Sequence, residues 1–120
     1  MKPKIDKTSF GFITIAGERY EHDVLIRLDG RIDKRKKKLS KQVYGTSHVI
    51  ALAEAEQVYE KGAEMLVVGT GQSGLVSLSP EAEAFFREKA CTVVLLPTPQ
   101  AIQRWNELKE WAIGLFHVTC

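Results

Sequence analysis

The chain lacks the residues that would place it in several common classes. Among 120 residues there are two cysteines, Cys91 and Cys120. That is too few for a disulfide framework, and no spacing suits a zinc site. Two free thiols fit a reducing compartment. The three histidines, His22, His48 and His117, lie far apart and make no HxH or HExxH pattern, so no metal site is expected. Long apolar runs are missing as well. "CTVVLLP" is one of the longest, and it is far too short to span a bilayer. The opening "MKPKIDKTSF" carries charge but no apolar core, so no secretory signal is expected. Its acids among bases also argue against a transit peptide. A cytoplasmic protein without a membrane segment is the expectation.

What is present suits one globular domain over residues 1–120. The composition is 44% hydrophobic and 27% charged, which is ordinary for such a domain. A chain of this length buries roughly two-thirds of the surface it exposes when unfolded, enough for a core of its own. The net charge is only +2, but it is unevenly spread. Residues 1–45 hold 12 Lys/Arg against six Asp/Glu, whereas residues 46–120 hold five against nine. Much of this asymmetry comes from "RIDKRKKKLSK", where Arg31, Lys34, Arg35, Lys36, Lys37, Lys38 and Lys41 face a single acid, Asp33. The run has no interleaved aromatics before Tyr44 and no nucleic-acid module around it, so nucleic acid is not the expected partner. It reads as a solvated edge strand or loop whose lysines deter aggregation. It is also a candidate surface for an acidic partner protein.

Periodicity divides the chain in two. "FGFITIAG" alternates, and "HDVLIRLDGRI" carries the Asp29-Gly30 hairpin signal, which predicts an antiparallel β section over about residues 10–34. From residue 46 the pattern becomes helix, strand, helix, strand, helix, strand. "TSHVIALAEAEQVYEKG" has helical spacing, with Thr46 or Ser47 as cap and Gly62 past its end. "EMLVVG" and "CTVVLLP" are apolar on both faces, as buried parallel strands are. "SPEAEAFFREKA" begins with Ser79 as N-cap and Pro80 at the first helical position. "TPQAIQRWNELKEWA" repeats that opening with Thr98 and Pro99, and "IGLFHVTC" is the last strand. The predicted fold is α/β: an antiparallel N-terminal β section, a mostly parallel central sheet and about three helices, in three layers.

The stretch "VVGTGQSGLVSLSP" contains Gly69-x-Gly71-x-x-Gly74, the spacing of a dinucleotide-binding turn. Its surroundings do not suit that function. The third glycine should open a helix whose amides hold the pyrophosphate, but extended Leu75-Val76-Ser77-Leu78 follows. The acidic residue that should contact the ribose about 20 positions on is replaced by Leu95, Leu96 and Pro97. No cofactor is implied. The glycines read instead as a sharp turn leaving a strand. If the three apolar strands are parallel, their C-terminal ends share one edge, where α/β proteins bind ligands. Thr70, Gln72, Ser73, Thr98 and Cys120 would then line a small polar site for an anion, with His48 and Asn106 nearby. A Cys120–His117 nucleophilic pair is weakened because residues three apart on a strand point to opposite faces. No set of residues fixes a reaction, so a protein-binding or assembly-type module is the first expectation, with a small-molecule site for an anionic ligand, enzymatic or not, as the alternative.

Four stretches in order, "GTSH" (45–48), "GTGQSG" (69–74), "PTPQAIQRWN" (97–106) and "HVTC" (117–120), together with "FGFITIAGERYEHDVLI", give a pattern that resembles the adipogenesis-associated Mth-domain family. The resemblance covers essentially the whole chain. That family includes small stand-alone bacterial and archaeal proteins and a mitochondrial assembly factor for respiratory complex I. The resemblance implies a three-layer α/β domain with a β layer beside the central sheet. It implies no catalytic activity, cofactor or residue-level mechanism. No targeting segment like that of the mitochondrial members is expected from the opening residues. The chain is also lysine-rich over Arg31–Lys41, where those members are expected to be less basic and to carry Trp. The complex I role is therefore not carried over.

Overall fold

The computed structural model describes residues 2–120. The N-terminal segment makes an antiparallel three-stranded sheet of β1 (Ile5–Ser9), β2 (Phe12–Ile15) and β3 (Glu18–Tyr20). The β2–β3 loop is Ala16-Gly17, and both residues have positive φ, as the tightest hairpin turns require. The next hairpin, β4 (Val24–Ile26) and β5 (Ile32–Lys34), turns at Asp29-Gly30 and joins the central sheet instead. The predicted β section is therefore shared between two sheets.

The rest of the chain supplies α1 (Lys38–Tyr44), β6 (Val49–Ile50), α2 (Leu52–Val58), β7 (Met65–Thr70), β8 (Ser77–Leu78), α3 (Pro80–Glu88), β9 (Thr92–Leu96), α4 (Thr98–Glu107) and β10 (Ala112–His117). The central sheet runs β5-β4-β10-β7-β9. β10, β7 and β9 are parallel and in continuous register, while β4 and β5 add antiparallel at one side. All six residues of β7 and of β10 are buried, which explains their unbroken apolar sequence.

The pleat sends alternate side chains into two cores. On one face, Val24, Ile26, Val67 and Phe116 pack with Trp105 of α4 and with Ile5, Ile13 and Ile15 of the small sheet. On the other, Leu25, Leu66, Val68, Ile113 and Leu115 pack with Ala55 and Val58 of α2 and Phe86 of α3. The result is three layers, with the central sheet in the middle. Trp105 lies edge-on to Phe116 at 5.8 Å, close against Gly114, where any Cβ would collide with the two rings.

Several boundaries differ from the sequence expectation. The helix predicted over 46–62 runs only from Leu52 to Val58; neither Thr46 nor Ser47 caps its start, and its end is the extended Tyr59 rather than Gly62. Val49-Ile50 is instead a short strand parallel to β8, because its flanking carbonyls, His48 and Ile50, accept from the Ser77 and Ser79 amides. The pairing partner lies nearly 30 residues away, so helical spacing alone misplaced this boundary. The basic run is not only strand and loop, since its second half forms α1. The last helix stops at Glu107 rather than Ala112, and Thr98 is its first residue, with its hydroxyl used elsewhere. Ser79, by contrast, caps α3 as expected, accepting from the Ala82 amide at 3.1 Å.

Candidate functional site

The parallel strands bring their C-terminal ends to one edge, and Thr98 fastens that edge together. Its hydroxyl donates to the His117 carbonyl (2.7 Å) and accepts from the Gly71 amide (2.9 Å), while its own amide donates to the Gly71 carbonyl (3.0 Å). Thr98 is fully buried and touches the ends of β7 and β10 from the start of α4. Gly71 and Gly74 have positive φ, and a Cβ on Gly71 would run into the Cys120 backbone. Glycine is needed there for close approach as well as for the turn.

The turn's amides are already engaged. Gln72 N–H donates to the Thr119 carbonyl (2.7 Å) and Ser73 N–H to the Cys120 carbonyl (3.1 Å). Residues 119–120 thus lie across the turn in the place where an anion would have to sit. The Gln72 side chain turns away to donate to Thr8 Oγ1 (3.1 Å), and Ser73 is exposed. Five of the seven candidate residues, Thr70, Gln72, Ser73, Thr98 and Cys120, meet at this edge. His48 approaches from beyond β10, its ring 5.5 Å from that of His117. Asn106 lies elsewhere, its side-chain amide splinting α4 to β1 by accepting from Ile5 N–H and donating to the Ile5 carbonyl.

Beside this edge is a buried charged cluster that pattern and spacing did not reveal. Asp23 stands just before β4, Arg35 just after β5, Glu54 on α2 and His117 at the end of β10. Each is at most 4% exposed. Arg35 donates from Nε to Glu54 Oε2 (2.7 Å), from NH2 to Glu54 Oε1 (3.1 Å) and the Ser47 carbonyl (2.8 Å), and from NH1 to Asp23 Oδ2 (3.0 Å). Ser40 of α1 donates to Glu54 Oε1 (2.5 Å) and accepts from the Ala51 amide (3.0 Å). Charges removed from water are tolerable only when paired and fully hydrogen-bonded, as these are. Burial alone would raise the Asp23 pKa. The hydrogen bond and charge from His117, with the Val118 amide and Arg35, outweigh it and hold the group at about 2. Burial likewise works against the Arg35 charge, but Glu54 and Asp23 raise its pKa above the ordinary value.

Asp23 also orients His117. Its Oδ2 is 2.7 Å from His117 Nδ1, and an ionised carboxylate can only accept, so Nδ1 carries the proton. In the neutral ring Nε2 is then an acceptor, and the Thr119 hydroxyl lies 3.1 Å from it. Carboxylate, imidazole and hydroxyl stand in one hydrogen-bonded line, which draws the hydroxyl proton toward the ring. Thr119, rather than Cys120, provides the side chain that meets His117. Burial pushes the Cys91 thiol up to about 11, which leaves it a poor nucleophile.

The line ends at a cleft of about 720 Å³, with Asp23 and Arg35 at its floor and Thr119 on its wall. His22 and Glu21 border one side, and Lys34, Lys36, Lys37 and Lys38 the other. Five cationic side chains therefore face two carboxylates. The basic run is divided by the fold. Arg35 is spent on internal pairing. Arg31 lies outside the cleft, held by Asp29 and Asp33, and Lys41 is exposed on α1. Two signals in the sequence could have pointed to the cluster, though neither was read: an acid, Glu54, among the alanines of an apolar helix face, and Asp23 directly before the apolar Val24-Leu25-Ile26.

Fold and site define a small mixed α/β domain with a basic cleft beside the C-terminal end of its parallel strands. The chain belongs to the family described as proteins of unknown function, DUF498/DUF598, whose model matches residues 5–112. It is similar over 98% of its length to a conserved hypothetical protein, PH1505, from Pyrococcus horikoshii OT3, with 36% identity, 99% of that chain covered and a TM-score of 0.89. It is similar over 99% of its length to MT938, with 32% identity, all of that chain covered and a TM-score of 0.83. A Bordetella pertussis protein described as a Mth938-like domain shares the fold at 16% identity and a TM-score of 0.65, over 97% of this chain and 85% of its own. These relationships agree with the Mth-domain resemblance carried by the four sequence motifs. No helix among the described residues is long and apolar enough to cross a membrane.

Proposed function

We propose that this chain is a cytoplasmic binding domain, acting as one unit over residues 1–120, whose cleft holds a small anionic ligand. The observation that carries the proposal is the cleft's charge: Lys34, Lys36, Lys37 and Lys38 line it against Glu21 and Asp23, and the Asp23 carboxylate is already engaged by Arg35 and the Val118 amide. In this role Lys34, Lys36 and Lys38 attract the anion, Lys37 reaches inward toward Asp23 (3.7 Å), and His117 and Thr119 position the ligand's polar end. The ligand sits beside the Gly69–Gly74 turn rather than on it, because residues 119–120 cover the turn. Calorimetric titration with a dicarboxylate such as succinate, and with inorganic phosphate, tests this. Binding should weaken as salt rises and should be lost when Lys34, Lys36 and Lys38 are all changed to Gln. Binding that is unaffected by those changes, or absent for both anions, would reject the proposal.

A partner protein with an acidic surface is the second candidate occupant, favoured by a different observation. On α1, Val43 is 61% and Tyr44 41% exposed, directly beyond Lys41. An apolar pair flanked by lysines on one short helix suits a protein surface better than a small anion. Partner recovery that falls both on changing Val43 and Tyr44 to Ser and with the lysine-to-Gln variant would favour this occupant, and recovery unchanged by the lysine variant would reject binding through the basic segment.

A further inference from the structure

The two outer strands of the central sheet are protected very differently. β5 is three residues long and carries Asp33 and Lys34, with Arg31 just before it, the kind of short, charged strand that deters pairing with another chain. β9 has none of these devices. Its sequence is Thr-Val-Val-Leu-Leu, without charge or proline, and its register with β7 runs from Thr92 to Leu96 without a bulge.

The direction of its free hydrogen bonds follows from one contact. The Thr92 amide donates to the Glu64 carbonyl (3.0 Å), so Thr92 faces β7, and by alternation Val94 and Leu96 do too. Val93 and Leu95 therefore point their N–H and C=O groups outward. We propose that β9 pairs with β9 of a second copy of this chain, antiparallel, about a two-fold axis perpendicular to the sheet at Val94. In that register Val93 and Leu95′ exchange two backbone hydrogen bonds, and Leu95 and Val93′ exchange two more, so every outward group is satisfied. The two five-stranded sheets become one continuous sheet.

Side chains on the α3 face support the same partner. A groove of about 590 Å³ runs between β9 and α3, with Phe86, Cys91 and Val93 among its lining residues. Leu95, 42% exposed, stands at its edge. The two-fold places each Leu95 against the other copy's Val93, over that groove. It also sets the two α3 helices antiparallel on the same face. Glu83 and Arg87 both border the groove and are exposed, paired within one helix at 3.6 Å. Antiparallel helices present Glu83 to Arg87′ and Arg87 to Glu83′, so the surface is self-complementary in charge as an isologous interface requires.

Sedimentation equilibrium over a concentration series gives the first test, and a particle of twice the monomer mass is expected. Leu95→Lys, at an exposed position that leaves the fold intact, should weaken association by about tenfold or more. Val94→Cys gives the second test, in a Cys120→Ser background. Residue 94 faces its own copy in a non-hydrogen-bonded pair, where Cα atoms lie about 4.5 Å apart, within disulfide reach. Mild oxidation should convert Val94→Cys to a covalent dimer and leave the exposed control Ser73→Cys largely monomeric. A monomer at all concentrations overturns the proposal. So does a dimer indifferent to Leu95→Lys, or equal cross-linking at residues 94 and 73.

Discussion

The strand-end turn and the buried charged cluster lie within a few residues of one another along β10, yet they behave as opposites. The turn is conspicuous in sequence, with three glycines in a familiar spacing, and the fold closes it with its own chain. The cluster is dispersed in sequence, with partners 12, 19, 82 and 94 residues apart, and the fold opens a cleft above it. Backbone amides at a turn are adaptable and can be satisfied by any nearby carbonyl. Buried charges are not adaptable, since each must meet its opposite with good geometry or cost several kcal/mol. The fold is consequently more constrained around Arg35 than around Gly71, and the difference can be measured.

Removing one charged partner gives the largest expected effect. Glu54→Ala removes two of the Arg35 guanidinium's acceptors, leaving it Asp23 and the Ser47 carbonyl, and leaves Ser40 without its carboxylate acceptor. Chemical denaturation should report a loss of about 3–5 kcal/mol. Acid comes next. The folded Asp23 pKa lies below its ordinary 3.8, at about 2. Its contribution is thus complete above about pH 4 and is lost as pH falls toward 2. Over that window the shift corresponds to roughly 2 kcal/mol. Denaturation midpoints should fall across it, and in Asp23→Asn, which is less stable at neutral pH, that part of the fall should be missing. At the turn the effects are smaller. Thr98→Val keeps shape but removes the hydroxyl between Gly71 N–H and the His117 carbonyl, with an expected cost of about 1–3 kcal/mol. Gln72→Ala loses one partly exposed bond to Thr8, and about 0.5 kcal/mol or less is expected. A Gln72 effect equal to that of Glu54 would erase the contrast between the two regions.

The same contrast explains how much could be read from the sequence. β7 and β10 were legible because strands buried on both faces are apolar throughout; β9 carries the same apolar signal but lies half-buried at the sheet edge, so its expected burial on both faces was wrong. α3 was legible because Ser79-Pro80 states its own start. Both signals are local. The boundary at Ala51 was not legible, because Val49 and Ile50 fit helical spacing and their strand partner lies nearly 30 residues away. The convergence of Thr70, Thr98 and the residues after His117 followed from parallel topology alone. That residues 119–120 would lie across the turn did not, since it depends on backbone contacts with no side-chain signature. Arg35 was hidden among lysines, and only the fold separates the one buried cation from its solvated neighbours.

The most direct measurement follows backbone amide resonances during a titration with inorganic phosphate. If the cleft is the ligand site, resonances of residues 34–38, His22 and Thr119 should shift together and saturably, while those of Gln72 and Ser73, bonded to carbonyls of residues 119 and 120, should move little. Shifts concentrated at Gly71, Gln72 and Ser73, with the lysine segment unmoved, would contradict this placement and return the anion to the turn.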